Sequence, residues 1–597
     1  MFLRAKTRRK DGKTHRYWSV VENRRVNGGR VVQRQLLHLG ELNDDQRAGW
    51  VRTIEVLEKG SAGSRQLALF ADDREELPAV RCETVRVRLS DIELRRPRQW
   101  GACWLALWLW DQLRLDEFWQ SRLPASRKGT RWLNVLKALV VYGLVDPGSE
   151  FRFHRDWYQT TALADLLGED FALAQKDKPY RCLDRLVQHR DELFDYLRQQ
   201  WGELFEAQFD VLLYDLTSTY FESDPPGPGI DSKRRFGYSR DHRSDCTQVV
   251  VALVVTPDGL PVAYEVYPGN THETSTLGAF LDRVEQRYGR VRRTWLMDRG
   301  IPTEETLEEM RTRGANYLVG TPKGRLTELE KSLLEQPWVQ ARESVSVKVL
   351  EQDEEFYVYV ESKDRVAKER AMRRRKLKQL WARLGKLRAR KRLSRDALLM
   401  SLGAAKKEAG RTWSLVRIHL PQKDQAVDAT TFHYELDREK LQQRTRREGR
   451  YLLRSNLKTT SPETVWENYL LLTRIEQAFK DLKGDLSMRP IRHQKEARIE
   501  AHIFLSFLAY CLHATLRNLA RRHAAGLSPR AIIEKLSTMQ MIDVHIPTTD
   551  GKHILLCRYT QPESDVALLL ARLQLTLPDQ SPPRVTHLGK PSHVVPT

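Results

Sequence analysis

Residues 211–222, VLLYDLTSTYFE, set one acid in the middle of a run of strand-forming residues. Val211, Leu212, Leu213 and Tyr214 predict a buried strand, because a short β-branched and aromatic run bounded by polar residues suits a sheet covered on both faces. A carboxylate at Asp215 is expensive in such a place unless a cation or hydrogen-bond donors answer it. Two readings are open. Asp215 is either an acid at a sheet edge, bonded to the hydroxyls of Thr217, Ser218 or Thr219, or a ligand for a metal.

The chain that follows narrows the choice. Residues 247–255 (TQVVVALVV) form a second strong strand, the TPDGLP turn at 256–261 reverses it, and 262–267 (VAYEVY) alternates as its antiparallel partner. Leu277, Phe280, Leu281, Val284 and Tyr288 then repeat at helical spacing. A short strand, RTWLM, ends at Asp298, and a helix and the strand NYLVG (316–320) complete the order βββαβαβ. This is the topology of the ribonuclease H fold, a mixed five-stranded sheet in which the centre of the first strand lies beside the end of the fourth. Asp215 and Asp298 occupy those two places.

A third acid is expected on a helix packed across that sheet. Residues 464–483 (TVWENYLLLTRIEQAFKDLK) have the apolar pattern of one, with Glu476 beside the stripe. Three carboxylates can hold two divalent ions about 3.5–4 Å apart, one activating an attacking oxygen and one stabilising the leaving oxygen of a phosphodiester. Mg²⁺ is the expected ion, two per site, with Mn²⁺ as a substitute, since a hard cation prefers carboxylate and phosphate oxygens.

YDLTSTYFE around Asp215, PGNTHE at 268–273, MDRG around Asp298, YLVGTPKG at 317–324 and the 464–483 helix together resemble an insertion-sequence transposase of the DDE class. The resemblance spans roughly residues 205–515. It is to the branch with a β-rich insertion between the second Asp and the Glu, and with a Tyr-x2-Arg-x3-Glu-x6-Lys signature. Here that signature falls on Tyr469, Leu472, Glu476 and Lys483, so leucine stands where arginine belongs. Arg474 cannot simply replace it, because two positions along a helix turn a side chain about 200°. The resemblance implies catalysis and metal binding by Asp215, Asp298 and Glu476, end cleavage, and attack of the freed 3′ hydroxyl on target DNA. It implies double-stranded DNA as partner and a homodimer holding two ends.

The whole chain agrees with a DNA-bound, cytoplasmic bacterial protein. It has 597 residues, enough for several domains, and 100 Lys and Arg against 79 Asp and Glu give a net charge of +21, which favours a polyanion. The opening MFLRAKTRRK lacks an apolar signal core, and no run of eighteen uncharged apolar residues marks a membrane span. Six scattered cysteines without CxxC pairs argue for reduced thiols rather than zinc ribbons.

The expected organisation is a multidomain α/β protein. Residues 1–42 make a small β module with a hairpin turn at Asn27-Gly28-Gly29, whose arginines either touch DNA or line a solvated edge. Residues 43–100 are a helix and linker with a strand at 83–89. Residues 101–204 are an α-helical region, placed like the end-binding region of related transposases. Residues 205–320 and 464–520 form the ribonuclease H-like core, 321–463 an inserted β-rich subdomain with a basic helix, and 521–597 a C-terminal region whose Pro-rich end from 578 is disordered.

Within the insertion, residues 363–395 hold sixteen Lys or Arg against two acids, fourteen of the chain's net +21. Leu377, Leu380, Trp381, Leu384 and Leu387 give that run one apolar face. A DNA-backbone clamp through Arg374, Arg375 and Lys378 is expected against the plainer reading of a solvated face. Trp381 and Trp413 either stack on a base or belong to a core. Lys480 and Lys483 follow Glu476 on its face, as phosphate contacts or as partners for Glu476 or Asp481. Tyr469, Arg299, Arg489 and Arg492 complete the expected DNA-contacting set, and His502 is structural. Two other activities share these residues: a nuclease without strand transfer, and an inactive DNA-binding descendant of a transposase.

Overall fold

The structure is a computed structural model that describes residues 1–597 except 11–12, 26–30, 62–84, 228–231, 273–274, 289–292, 299, 322–328, 330–331, 334, 343, 353, 391–392, 424, 429, 458–460 and 588–597. The turn expected at Asn27-Gly28-Gly29, Arg299, most of the TPKG motif and the last ten residues lie outside the described residues. In chain order the strands are β1 (Phe2–Lys10), β2 (Lys13–Arg25), β3 (Val31–Gly40), β4 (Glu93–Gln99), β5 (Val211–Tyr220), β6 (Gln248–Val255), β7 (Pro261–Pro268), β8 (Thr294–Met297), β9 (Asn316–Gly320), β10 (Val339–Arg342), β11 (Val345–Gln352), β12 (Glu355–Ser362), β13 (Val416–His419), β14 (His433–Leu436), β15 (Arg450–Ser455), β16 (Gln540–Pro547), β17 (Lys552–Tyr559) and β18 (Arg584–His587). The contacts divide the chain into two compact units. One holds Met1–Lys6, Arg16–Asp282 and Thr473–Thr597, the other Thr7–His15 and Arg283–Leu472. The expected 205–320 core segment is therefore shared between them, its last part going with the insertion.

In the first unit β2 and β3 pair antiparallel from Trp18↔Gly40 to Arg25↔Val31, as the hairpin reading expects. Of the strand expected at 83–89, residues 83–84 lie outside the described residues and Val87 forms only an isolated bridge to Thr548; the strand of this segment is β4, which pairs with β16 from Gln540↔Gln99 to His545↔Glu93. Those strands and β17 and β18 make a four-stranded sheet in the order β18-β17-β16-β4. The Pro-rich end is thus not wholly disordered. Val585 pairs with Ile554, and Pro578 O accepts a hydrogen bond from the Tyr559 hydroxyl.

The same unit carries β5, β6 and β7 as consecutive antiparallel strands, with Asp215 opposite Leu253. Every residue of β6 is buried, as its unbroken apolar run requires. Behind them runs the 28-residue helix Glu496–His523. It is long and apolar enough to cross a membrane, but 89% of its most apolar window is buried within the protein, which marks a core helix. The 101–204 region is helical as expected and packs on it: Trp119 meets Phe504 edge-on at 6.1 Å and Phe194 lies 5.2 Å from Phe507.

In the second unit β8 and β9 are parallel, from Thr294↔Asn316 to Met297↔Val319. β15 then pairs antiparallel with β9, β12 with β15, β11 with β12 and β10 with β11, so this mixed sheet runs β10-β11-β12-β15-β9-β8. Four strands of the insertion are therefore not a subdomain of their own. They extend the sheet outward from β9, whose backbone would otherwise present unpaired donors and acceptors. What stands apart is a second core, in which helices Lys363–Arg388 and Arg395–Ala409 pack Leu380, Leu384, Leu387, Leu398 and Leu402 against Phe432 beside the β13–β14 pair.

Candidate active site

Asp215 is partly open, its side chain 19% exposed, between strand neighbours that are buried on both sides. The Tyr214 side chain anchors the strand: its hydroxyl donates to Thr276 Oγ1 at 3.0 Å and its ring lies 5.0 Å from Phe280. Burial pushes the Tyr214 phenol far above its usual range. Asp215 Oδ1 accepts the Leu216 N–H at 2.7 Å and has Arg240 Nη1 at 3.6 Å. The cation that a carboxylate here calls for comes from the loop between β5 and β6. Sequence reasoning did not name Arg240, although the cluster RDHR at 240–243 was a signal. Two of the nearby hydroxyls have other tasks: Thr219 Oγ1 donates to Met488 O, and Ser218 Oγ accepts the Arg240 N–H, both at 3.4 Å.

Glu476 is exposed on a helix that begins later than expected. The predicted 464–483 helix is two, Pro462–Leu470 and Leu472–Lys483, with a turn at Leu471. Ile475, Ala478, Phe479 and Leu482 are buried, and the intervening Glu476 and Lys480 face outward. Leu472 is 8% exposed, which gives a physical reason for leucine in the arginine position: a guanidinium there would have to be desolvated.

Asp481, on the same helix as Glu476, ties that helix to the core. Its Oδ1 accepts from Gln477 Nε2 at 2.6 Å and its Oδ2 from Arg517 Nη1 at 2.8 Å. Arg517 Nη2 also donates to Gly259 O at 2.9 Å and to the Tyr510 hydroxyl at 2.8 Å, and Tyr510 donates to Gly259 O at 3.0 Å. The network ties the Glu476 helix to Glu496–His523 and to the β6–β7 turn, where Gly259 has φ of 81°. Asp481 is therefore engaged with Arg517, and Lys483 pairs elsewhere.

That partner is Asp241. Lys483 Nζ lies 2.9 Å from Asp241 Oδ1, and Arg489 pairs with the same oxygen. Burial pushes the Lys483 ammonium below its usual range, while Asp241 pulls it up. Lys480 and Arg492 are exposed. Asp298 directly follows β8 and is exposed. Asp215 and Glu476 belong to one unit and Asp298 to the other. All three offer carboxylate oxygens, a donor set that suits a hard divalent cation.

The remaining expected DNA contacts lie in the second unit. Tyr469 stacks on Tyr451 at 5.5 Å. Trp413 packs on the Leu380 core, so the core reading holds for it; Trp381 is 39% exposed, edge-on to Tyr434 at 4.9 Å. Arg374, Arg375 and Lys378 are exposed, but the basic helix presents a different face to a large cleft in this unit. That cleft, about 1160 Å³, is lined by Arg365, Lys368 and Lys376 with Arg411, Lys440 and Arg444. Arg374 and Lys378 point roughly 180° away from Arg365 and Lys376 around the helix. Some of the cleft's charge is answered locally, by Arg365–Glu369 and Arg373–Glu448 pairs.

A cluster at the junction of the helical region and the core gathers Glu150, His493 and His502, with ligand atoms within 4.8 Å of one another. His493 Nε2 lies 3.0 Å from Glu150 Oε1, and His502 Nε2 lies 3.3 Å from Met488 O. Burial works to raise the Glu150 carboxyl, but its His493 hydrogen bond wins and holds it below the usual range. These bonds fit the structural role expected of His502.

The profile of the transposase DDE domain matches residues 207–512, just over half of the chain, and that of the IS1634 family transposase N-terminal domain matches residues 3–66. No curated protein matches the chain significantly. Among solved structures, a pre-cleavage Mos1 transpososome is 11% identical over 36% of this chain and 77% of its own, with a TM-score of 0.14. The Mos1 transposase paired-end complex with left transposon end and the Mos1 strand transfer complex are each 11% identical over 47% of this chain, covering 78% and 77% of theirs, with TM-scores of 0.13. Similarity that slight has no bearing on the fold. The family match spans the Asp215 strand, Asp298 and the Glu476 helix with the strands that hold them, and by it the chain belongs to the DDE transposases of insertion sequences.

Proposed function

We propose that this transposase cuts DNA at the ends of its own insertion sequence and joins the freed 3′ hydroxyls to target DNA by in-line phosphodiester transfer. The observation that supports it most directly is that one compact unit holds both a partly exposed Asp215 on β5 and an exposed Glu476 on a helix anchored by the Asp481–Arg517 network. Asp215, Asp298 and Glu476 would hold two divalent ions, Mg²⁺ by the hardness of the donors. Such ions, when bound, supply a water-derived nucleophile and charge stabilisation for the leaving oxygen. No histidine base is needed on this reading.

The chain's own residues do the rest. Lys483 and Arg489 hold backbone phosphate, with Lys480 and Arg492 extending the basic surface on the exposed side. The cleft of Arg365, Lys368 and Lys376 offers a second phosphate-binding face, and the +21 net charge supports binding that weakens steeply with salt. Region 101–204 is assigned to end binding by its place ahead of the core. A homodimer in the DNA complex follows from the need to hold two ends, and the working place is the bacterial nucleoid.

The test is incubation of purified protein with linear DNA carrying the element's terminal repeats, with and without Mg²⁺, and resolution of products on a denaturing gel. Metal-dependent cleavage at the repeat boundary, followed by joined product when target DNA is added, is the expected result. Cleavage without joining would replace the reading with that of a nuclease.

A further inference from the structure

The loop between β5 and β6 brings Asp241 against two cations from the other end of the chain. Its side chain is 9% exposed, and that of Lys483 10%. Lys483 and Arg489 both engage Oδ1, whereas Oδ2 is buried with no hydrogen-bond partner among the described residues. The next residue, His242, holds φ at 58°, in the left-handed region that costs a non-glycine residue roughly 1 kcal/mol. Arg240, on the other side, reaches to Asp215.

An ion pair built only for stability meets both oxygens of its buried carboxylate, since an unmet one keeps its desolvation cost. This one leaves an oxygen unmet and sits beside a strained residue. Lys483, Arg489 and Arg240 also repel one another: the two arginines work to drive the proton off Lys483. The cations need an anion between them. A phosphodiester meets that need, because a guanidinium takes two of its oxygens and an ammonium serves as a point charge.

We propose that Lys483 and Arg489 form a site for one backbone phosphate of bound DNA, and that Asp241 holds this place in the free protein and is displaced when DNA arrives. The proposal rests on the transposase reading and adds regulation to it. The Asp241 carboxylate sets a threshold that a weakly held duplex does not cross, and the strained His242 backbone favours release of the loop.

The experiment titrates the full chain against a fluorescein-labelled duplex bearing the element's terminal repeat, in EDTA and at several salt concentrations, by fluorescence anisotropy. Asp241→Asn is expected to bind about tenfold tighter at each salt concentration, because the Lys483–Arg489 site no longer has to displace a carboxylate. The gain is expected to vanish in a Lys483→Gln background. Asp245→Asn, which removes an exposed acid from the same loop, is expected to stay within about twofold of wild type. Unchanged or weaker binding by Asp241→Asn overturns the proposal, as does equal tightening by Asp245→Asn or a gain that survives Lys483→Gln. Should Asp241→Asn fail to fold, hydrogen exchange on the wild-type chain decides: amides of 236–246 must exchange faster in the DNA complex, and added protection there refutes displacement. Absence of DNA binding by wild type would instead bring down the transposase reading, and this proposal with it.

Discussion

Asp481→Ala would test whether the buried network holds the Glu476 helix in place. Asp481 and Arg517 are 4% and 7% exposed, and their 2.8 Å contact is the only ionic bond described for the Arg517 guanidinium. Gly259 O and the Tyr510 hydroxyl would still accept from it, but neither carries charge. Breaking a buried pair by removing one partner costs about 3–5 kcal/mol, because the other charge stays buried and unanswered. Each 1.4 kcal/mol is a factor of about ten, so amides of Leu472–Lys483 should lose roughly a hundredfold to a few thousandfold in exchange protection if they open locally. Cleavage should fall with that loss, while metal-free DNA binding holds to within a few-fold. The assay is hydrogen exchange read by mass spectrometry on wild type, Asp481→Ala, Arg517→Leu and the double variant. The double variant should lose markedly less than the two single losses added together, since it leaves no unpaired charge. Protection in Asp481→Ala within about threefold of wild type, or strict additivity, would refute the reasoning.

Three further outcomes are expected. Asp215→Asn, Asp298→Asn and Glu476→Gln should each reduce strand cleavage below detection while end binding in EDTA persists, and retained cleavage would remove that residue from the site. Leu472→Arg, which restores the family signature at a buried position, should lower the melting temperature and leave cleavage no better; a gain in cleavage would show that the position can face DNA. The Glu150 cluster should make stability depend on pH. Glu150 is held below its ordinary 4.5, so its contribution is present above that value and lost as pH falls through the lower folded value, and burial holds His502 below 6.5, which starts the loss in the same direction at higher pH. Melting temperature followed from pH 5 to 3 should drop more steeply in wild type than in Glu150→Gln, and parallel curves would count against it.

The core strands were legible because their signals are local. The all-apolar run of β6, the TPDGLP turn and the alternating β7 specify a hairpin without reference to anything distant, and β5 to β9 occur in the order the pattern predicts. The candidate acids were legible for the same reason, since each follows or interrupts a recognisable strand or helix stripe. What went unseen depends on partners far along the chain. β4 forms where β16, more than four hundred residues later, can pair with it, and the Pro-rich end includes a strand because β17 offers an edge. The insertion reads as a domain of its own, yet β15 returns to β9 and continues its sheet.

By itself the sequence determined the element order, the candidate carboxylates at 215, 298 and 476, the basic excess that favours DNA, and the membership that the family match bears out. Those are properties of hydrophobic period, residue type and spacing, which neighbouring residues settle between themselves. Only the tertiary structure decided that Arg240 answers Asp215, that Asp241 rather than Glu476 or Asp481 takes Lys483, that Arg517 holds Asp481, and that Leu472 is buried. A charge chooses its partner by distance in space and by the desolvation it must offset, and neither quantity exists until the chain has folded.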